Sequence, residues 1–201
     1  MYSFIASLLT LGLLVPAFAA PTAMRRAGAN CADVMVFFAR GTTEAPPIGT
    51  VAGPPLQAAL KKQLGGQSLS FQGVDYPADI PGFLEGGDKQ GSQTMADDIT
   101  NAASSCPNAK IVSVGYSQGG QLVHNSAKLL SSDVQSRVNA AVIFGDPDNG
   151  EAVDGVAAAN TKVICHTGDN ICAHGDLILP PHLTYGQDAG SAAQFIASKV
   201  K

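Results

Sequence analysis

The run Lys110-Ile-Val-Ser-Val-Gly115, which leads into Tyr116-Ser-Gln-Gly119, decides the fold. Its β-branched residues predict a buried central strand, and the amphipathic pattern over residues 120–130 predicts a helix after it. The junction matches G-x-S-x-G, a sharp strand-to-helix turn that exposes its serine next to a helix N-terminus. Because the motif lies in the structural context that it requires, Ser117 is a candidate nucleophile.

Strands and helices alternate on both sides of this turn. We predict further strands over residues 32–38, 69–75, 138–145 and 161–165, and helices over 53–64, 92–105 and 188–200. The stretch 77–91, which is rich in Pro and Gly, is predicted to be a loop, with Ser92 capping the helix after it. Such alternation predicts an α/β fold with a parallel sheet covered on both faces. Ligands of such sheets bind beyond the carboxyl ends of the strands, where Ser117 is expected.

Length and composition indicate one globular domain. The chain has 201 residues, of which 45% are hydrophobic and 14% are charged. That length suits a single core of ordinary size. The net charge of -4 provides no basic surface, so we expect no nucleic-acid partner.

The first residues are predicted to be a targeting segment. The apolar run over residues 5–15 is shorter than the about 20 residues that a membrane-spanning helix needs, which disfavours an anchor. Small residues at Ala17 and Ala19 fit cleavage after Ala19. We therefore predict a signal peptide over 1–19, a propeptide or tail over 20–30, and a secreted domain over 31–201 with no stable membrane insertion. The pair Arg25-Arg26 is either a processing site or an uncut part of the tail.

Secretion changes the interpretation of the four cysteines, Cys31, Cys106, Cys165 and Cys172, because an oxidising compartment favours disulfides. Four cysteines allow three pairings, and the sequence alone does not choose between them. We favour Cys165–Cys172, which bracket a short loop, and this leaves Cys31–Cys106. The alternative is a zinc site that combines Cys165 and Cys172 with His166 and His174, but the spacing matches no standard zinc pattern.

A serine nucleophile needs a base, and the chain has four histidines. His124 lies on the helix after the turn, so it is expected to point into the protein or to solvent. His182 lies on a long loop that can reach across the sheet, and the chain order Ser…Asp…His is the one that α/β-hydrolases use. His182 is therefore the favoured base, and His174 is the second candidate.

An acid that orients this base should lie between the two in the chain. Asp169 directly follows the strand predicted over 161–165 and sits between Cys165 and Cys172. A disulfide there would hold the carboxylate against the imidazole. Asp146, which follows the preceding strand, is the alternative. The weaker candidates are Asp148, Asp154 and Asp176.

Four segments in this order resemble one known family: Phe38-Ala-Arg-Gly-Thr-Thr-Glu44, Gly115-Tyr-Ser-Gln-Gly119, Cys165-His-Thr-Gly-Asp-Asn-Ile-Cys172 and His182-Leu-Thr-Tyr-Gly186. Together they are similar to the fungal cutinases, a family that also contains acetylxylan esterases. The resemblance covers roughly Cys31 to Val200. It implies a three-layer α/β/α hydrolase fold with a central five-stranded parallel sheet and no lid.

The same resemblance implies roles for particular residues. Ser117, Asp169 and His182 would be the catalytic triad, and the backbone N–H groups of Thr42 and Gln118 would form the oxyanion hole, assisted by the Thr42 hydroxyl. It supports both favoured cysteine pairs and implies neither a metal nor a cofactor. Cutinases usually carry serine at the position of Thr42 and glycine at the position of His174.

Two apolar segments are expected to flank the nucleophile. They contribute the candidate substrate-binding residues Ile80, Phe83, Leu84, Leu177, Ile178 and Leu179. These residues either pack in the core or form an exposed apolar rim suited to acyl chains. With 6% aromatic residues and no Trp, a sugar-stacking surface is disfavoured.

We therefore expect a secreted, monomeric serine carboxylesterase. Its substrates would be cutin-like or other plant-surface polyesters and short-to-medium acyl esters. An acetylxylan esterase with the same triad is the alternative enzyme. A non-catalytic secreted interaction protein on the same scaffold is the alternative outside catalysis.

Overall fold

Five parallel strands form the centre of the molecule. The computed structural model describes Met1 and residues 31–201. The strands are β1 (Val34–Ala39), β2 (Leu69–Gly73), β3 (Lys110–Tyr116), β4 (Val138–Phe144) and β5 (Thr161–Ile164). They pair in the order β2-β1-β3-β4-β5, and every pair is parallel. The predicted sheet is confirmed, with β3 at its centre.

Residues 31–201 contain six α-helices, and the larger ones cover the two faces of the sheet. They are α1 (Gly53–Gln63), α2 (Ile80–Leu84), α3 (Lys89–Ser105), α4 (Gln118–Leu129), α5 (Ser132–Gln135) and α6 (Ala189–Val200). Strand β1 shows how the layers divide, because successive side chains of a strand point to opposite faces. Met35 and Phe37 pack into the core shared with α3 and α4. Val36 and Phe38 pack into the core shared with α1 and α6. Since both faces are covered, all six residues of β1 are buried.

The stretch 77–91 is not all loop, and this part of the sequence prediction was wrong. Helix α2 lies inside it, and α3 begins at Lys89 rather than after Ser92. The reason is that aspartates cap both helices: Asp79 accepts a hydrogen bond from the Gly82 N–H at 2.9 Å, and Asp88 accepts one from the Gly91 N–H at 2.5 Å. Ser92 lies within α3, where its hydroxyl donates to the Asp88 carbonyl oxygen at 2.8 Å.

Both favoured disulfides are present. Cys31–Cys106 joins the start of the domain to the end of α3, and Cys165–Cys172 closes the short loop after β5. All four cysteines are thereby bonded, so the zinc alternative has no thiolate ligands.

The signal peptide predicted over 1–19, the tail over 20–30 and the Arg25-Arg26 pair fall outside the described residues. In the part of the chain that is described, no helix has both the length and the apolar character needed to cross a membrane.

Candidate active site

Ser117 occupies the sharp turn between β3 and α4. Its backbone angles are φ 56° and ψ -124°, a conformation that non-glycine residues rarely adopt and that the surroundings must enforce. Glycines make the turn possible, because a Cβ on Gly115 would clash with the Gly119 carbonyl and one on Gly119 with the Ala39 carbonyl. The Ser117 N–H donates to the Phe144 carbonyl at 2.9 Å, which fixes the turn against β4.

His182 and Asp169 continue a line of hydrogen bonds from this serine. The Ser117 Oγ lies 2.9 Å from the His182 Nε2, and the His182 Nδ1 lies 2.8 Å from the Asp169 Oδ2. An ionised carboxylate only accepts, so the Nδ1 carries the proton and the Nε2 is free to accept from the serine. All three side chains are buried, with 1–4% of each residue exposed. The structure therefore brings together the favoured nucleophile, base and acid.

Asp169 is held by more donors than His182 alone. The Tyr185 hydroxyl donates to its Oδ2 at 2.6 Å, and the Ile171 N–H donates to its Oδ1 at 3.0 Å. Burial by itself raises the pKa of Asp169, but the hydrogen bonds from Tyr185 and His182 outweigh it and hold the pKa below the ordinary 3.8. The carboxylate thus stays ionised opposite the imidazole.

Two tyrosines that the sequence analysis did not single out support the imidazole of His182. The Tyr116 ring stacks on it with ring centroids 5.2 Å apart, and the Tyr116 hydroxyl donates to the His182 carbonyl at 2.9 Å. Tyr185 meets the same ring edge-on at 5.9 Å. Burial raises the pKa of both phenols, so they stay neutral and act as donors. Tyr116 was the unassigned residue of the G-x-S-x-G motif itself.

Thr42 and Gln118 lie side by side next to the serine. The Gln118 Nε2 donates to the Thr42 Oγ1 at 3.0 Å and to the Asp79 carbonyl at 2.7 Å. Because the Thr42 oxygen accepts from Gln118, its own hydroxyl proton is available to another acceptor. Gln118 is also the first residue of α4, so its backbone N–H has no partner within the helix. Both groups are therefore suited to stabilising an anion beside Ser117.

Glu44, which the sequence analysis quoted without giving it a role, holds the loop that carries Thr42. Its carboxylate accepts from the N–H groups of Gly41 at 2.9 Å, Thr50 at 2.8 Å and Val51 at 2.9 Å. The buried side chain of Arg40 also holds this loop, because its Nε donates to the Glu44 backbone carbonyl at 2.7 Å. The loop is thus fixed before any ligand binds.

A cleft of about 680 Å³ opens at Ser117. Four of the six candidate substrate-binding residues line it, namely Ile80, Phe83, Leu84 and Ile178, together with Leu183, which was not among those candidates. Leu177 and Leu179 are exposed next to it but do not line it. We define the apolar rim as Ile80, Leu84, Leu177, Ile178, Leu179 and Leu183, whose exposed fractions run from 39% to 65%. The alternative that the candidates pack in the core is therefore wrong for the five of them in this rim, whereas the sixth, Phe83, is half-buried.

The second candidates for base and acid lie elsewhere. The His174 Nδ1 lies 2.8 Å from the Pro147 carbonyl, and the residue adopts a left-handed backbone (φ 60°), the conformation that favours glycine. The His124 Nε2 lies 3.1 Å from the Asp146 Oδ2, and both residues are fully buried. Of the weaker acids, Asp176 lines the cleft, Asp154 lies 3.4 Å from the Gln135 Nε2, and the Asp148 N–H donates to Asp146.

His124, Asp146 and Asp148 are the group that could hold a metal ion among the described residues, with possible ligand atoms within 4.8 Å of one another. His124 and Asp146 already pair directly in the core, away from the cleft lining.

The chain is similar to known proteins over nearly its whole length. The cutinase family model matches residues 30–200. A cutinase of Botryotinia fuckeliana is 60% identical over 186 residues, which cover 92% of this chain and 92% of the relative. A cutinase of Monilinia fructicola matches with the same identity and coverage.

Solved structures are similar as well. The Trichoderma reesei cutinase in complex with a C11Y4 phosphonate inhibitor superposes with a TM-score of 0.83 and 45% identity, covering 87% of this chain and 79% of that chain. An acetyl xylan esterase superposes with a TM-score of 0.68 and 27% identity, covering 85% of this chain and 100% of that one.

Proposed function

The chain belongs to the cutinase family, and from this premise we propose that Ser117, His182 and Asp169 are the catalytic triad of a secreted enzyme. The chain is a carboxylic ester hydrolase that acts on cutin, in line with relatives of 60% identity that are named cutinases. The single observation that carries the triad is the continuous line of hydrogen bonds from the Ser117 Oγ through His182 to Asp169.

The reaction follows from these positions. His182 takes the Ser117 proton on its Nε2 while the Ser117 Oγ attacks the ester carbonyl carbon. The negative charge on the carbonyl oxygen is held by the N–H groups of Thr42 and Gln118 and by the Thr42 hydroxyl. When the intermediate collapses, the ester C–O bond breaks and His182 gives its proton to the leaving alcohol.

A water molecule then completes the cycle. It loses a proton to His182 and attacks the acyl-enzyme, which releases the carboxylic acid and returns the proton to Ser117. Asp169 keeps its charge throughout and stabilises the imidazolium each time it forms.

The apolar rim and the lining of the cleft support a preference for acyl chains and polyesters over acetylated sugar. The lining includes Ile80, Phe83, Leu84, Ile178 and Leu183, which offer aliphatic and aromatic surface to an acyl chain. The alternative, an acetylxylan esterase, has the more distant structural relative at 27% identity. Both enzymes would share the triad, so substrate length separates them.

Secretion and a monomeric state belong to the same proposal. Two disulfides are the kind of cross-link that persists in an oxidising compartment. The predicted signal peptide over residues 1–19 fits that route.

The proposal is tested by hydrolysis rates of p-nitrophenyl esters from acetyl to palmitoyl, measured for the wild type and Ser117→Ala. We expect the highest kcat/KM at butyryl or longer, and a loss of roughly 10⁴–10⁶-fold in Ser117→Ala. Activity confined to the acetyl ester would favour the acetylxylan esterase. Full activity in Ser117→Ala would overturn the triad. No activity at any chain length, with no labelling of Ser117 by a phosphonate, would favour a non-catalytic interaction protein.

A further inference from the structure

His166 lies behind the proposed triad and touches the segment that carries the base. We propose that protonated His166 is a positioning residue: it ties the turn Pro180–Leu183 to Asp188 and so holds His182 in place against Ser117. The proposal rests on the catalytic triad proposed above. It adds a second histidine to the reaction, one that does not touch the substrate.

Both ring nitrogens of His166 face oxygen acceptors. The Nδ1 lies 2.9 Å from the Pro181 carbonyl, and the Nε2 lies 2.7 Å from the Asp188 Oδ2. A carbonyl and an ionised carboxylate both accept and neither donates, so both bonds form only when the imidazole carries two N–H groups. The Thr184 Oγ1 also lies 3.0 Å from the Nδ1, so a neutral ring could accept the Thr184 hydroxyl proton there. That proton would then be lost to the Pro181 carbonyl, which would face the Nδ1 lone pair without a donor from His166 or the Thr184 hydroxyl. Only the cation lets His166 donate to both oxygens while the Thr184 hydroxyl keeps its bond to Pro181.

Two routes lead from His166 to His182. The first runs through the backbone, because Pro181, whose carbonyl His166 holds, directly precedes His182. The Thr184 hydroxyl reinforces it by donating to the same carbonyl at 2.8 Å. Since the turn is short and His182 sits within it, a shift of the Pro181 carbonyl moves the imidazole with it.

The second route runs through Tyr185. The His166 ring stacks on the Tyr185 ring with centroids 4.1 Å apart, and the backbone N–H of His166 donates to the Tyr185 hydroxyl at 3.0 Å. That hydroxyl in turn donates to Asp169, the partner of His182. A cation on a phenol face adds electrostatic attraction to the stacking. His166 is thus connected to both the base and the acid.

The charged surroundings support the protonated form. The titratable groups facing His166 are Asp188, which heads α6, Asp169 from the loop after β5, and Tyr185. Burial lowers the pKa of His166. The hydrogen bond to the Pro181 carbonyl, and the hydrogen bond to Asp188 together with its charge, raise this pKa by a larger amount, so it lies above 6.5. The side chain is still about a quarter exposed, so it exchanges protons freely with solvent.

A pH dependence with a definite sign follows. The folded-state pKa of His166 is raised. The pair of hydrogen bonds from His166 to Pro181 and Asp188 is therefore complete below pH 6.5, and it is lost as pH rises through the raised pKa. His182 needs the opposite state, since only the neutral ring accepts the Ser117 proton. We expect kcat to fall as His166 deprotonates, with KM for a soluble ester nearly unchanged.

The experiment is the pH profile of kcat and KM between pH 5 and 10 on p-nitrophenyl butyrate, for the wild type, Asp188→Asn and His166→Phe. Asp188→Asn keeps an oxygen acceptor but removes the charge, so its falling limb should shift by about one pH unit or more toward lower pH. His166→Phe keeps a ring to stack on Tyr185 but lacks both N–H groups. It should lose the falling limb and about tenfold in kcat below pH 7, without a matching change in KM.

His174→Asn is the matched control. It lies just after Cys172, its left-handed backbone suits Asn, and it does not line the cleft. Its pH profile should match that of the wild type. A falling limb that stays in place in Asp188→Asn overturns the proposal, and so does a wild-type kcat in folded His166→Phe. If Ser117→Ala remains active, the triad itself has failed; if Ser117→Ala is inactive but Asp188→Asn has the wild-type profile, only the role of His166 has failed.

Discussion

Tyr185 contacts Asp169 and both of the histidines His166 and His182. Its hydroxyl donates to Asp169 and accepts from the backbone of His166, while its ring is fully buried between His166, His182 and Phe144. Removing one donor from a buried carboxylate lowers the free energy of unfolding by more than the loss of a hydrogen bond between neutral groups does. The phenol oxygen therefore contributes both to stability and to the ionisation of Asp169.

Tyr185→Phe tests this contribution. We expect the free energy of unfolding at pH 7 to fall by about 1.5–3 kcal/mol, because a hydrogen bond to a charged group is lost. The depressed pKa of Asp169 adds stability that is present above its unfolded value of 3.8 and lost as pH falls through the lower folded value. The deficit should therefore shrink at pH 3. Guanidinium unfolding at both pH values measures it, and an equal deficit at both would contradict the assignment.

Thr42 gives a second prediction for a single side chain. Thr42→Ala removes the hydroxyl that Gln118 orients, so kcat should fall by roughly 10²–10³-fold while KM changes little. Thr42→Ser retains the hydroxyl and serves as the control, with kcat near that of the wild type. Steady-state kinetics on p-nitrophenyl butyrate measure both. Similar losses in the two variants would show that the hydroxyl is not the group that acts.

The candidate site was predictable from the sequence where a motif or chain order fixes a residue. Ser117 is marked by G-x-S-x-G, and Asp169 and His182 follow in the order of α/β-hydrolases. Tyr116, Tyr185 and Glu44 were not assigned, because their roles depend on which buried polar atom each one reaches. No local pattern encodes the fact that Tyr185 contacts Asp169, which lies 16 positions earlier in the chain.

At the scale of elements, α4 contributes the histidine of a buried histidine–carboxylate pair. His124 on this helix contacts Asp146, which follows β4, and neither side chain has any exposed surface. Burial lowers the pKa of His124, but the hydrogen bond and charge of Asp146 raise it above the ordinary 6.5. The pair fastens α4 to the carboxyl end of β4, close to the turn that presents Ser117.

His124→Leu should destabilise the protein by about 3–5 kcal/mol, because it leaves a buried carboxylate without its partner. A raised folded-state pKa means that the contribution of His124 is complete below 6.5 and is lost as pH rises through the folded value. The deficit in unfolding free energy should thus be larger at pH 6 than at pH 9. The double variant with Asp146→Asn removes both charges and should recover part of the loss. A double variant less stable than His124→Leu would contradict this account.

The elements themselves were predictable where the hydrophobic pattern was long. All five strands and the larger helices follow from apolar runs and amphipathic periods. Helix α2 was missed because it is five residues long and contains both Pro and Gly. The start of α3 was misplaced because two residues could serve as its cap: Ser92 has the right chemistry, but Asp88 is the one whose side chain reaches a free N–H.

At the scale of the whole molecule, the two disulfides restrain different things. Cys31 and Cys106 are 75 positions apart, whereas Cys165 and Cys172 are 7 apart. Chain-entropy arithmetic gives about 4.5 kcal/mol for the longer loop and about 2.3 kcal/mol for the shorter one. Only the shorter loop contains a member of the proposed triad, Asp169. Thr42 lies within the longer loop, but the contacts of Glu44 and Arg40 hold its segment independently of the disulfide.

Paired serine variants separate the two effects. Replacing Cys31 and Cys106 should lower the free energy of unfolding more and leave kcat close to the wild-type value. Replacing Cys165 and Cys172 should lower it less, yet reduce kcat, because the Asp169 loop loses its closure. Guanidinium unfolding and ester hydrolysis measure the two quantities. Equal losses of kcat in both variants would contradict the expectation that only the Cys165–Cys172 disulfide affects catalysis.

The apolar rim has a consequence for how the enzyme meets a solid polymer. The rim consists of six aliphatic side chains, each at least 39% exposed, of which four line the cleft. Such a patch adsorbs to a waxy surface, so bound enzyme becomes concentrated in two dimensions with its cleft facing the solid. The rate of product release should then follow the area of polymer offered rather than its mass. At a fixed area, the rate should level off as more enzyme is added, once a single layer of protein covers the polymer.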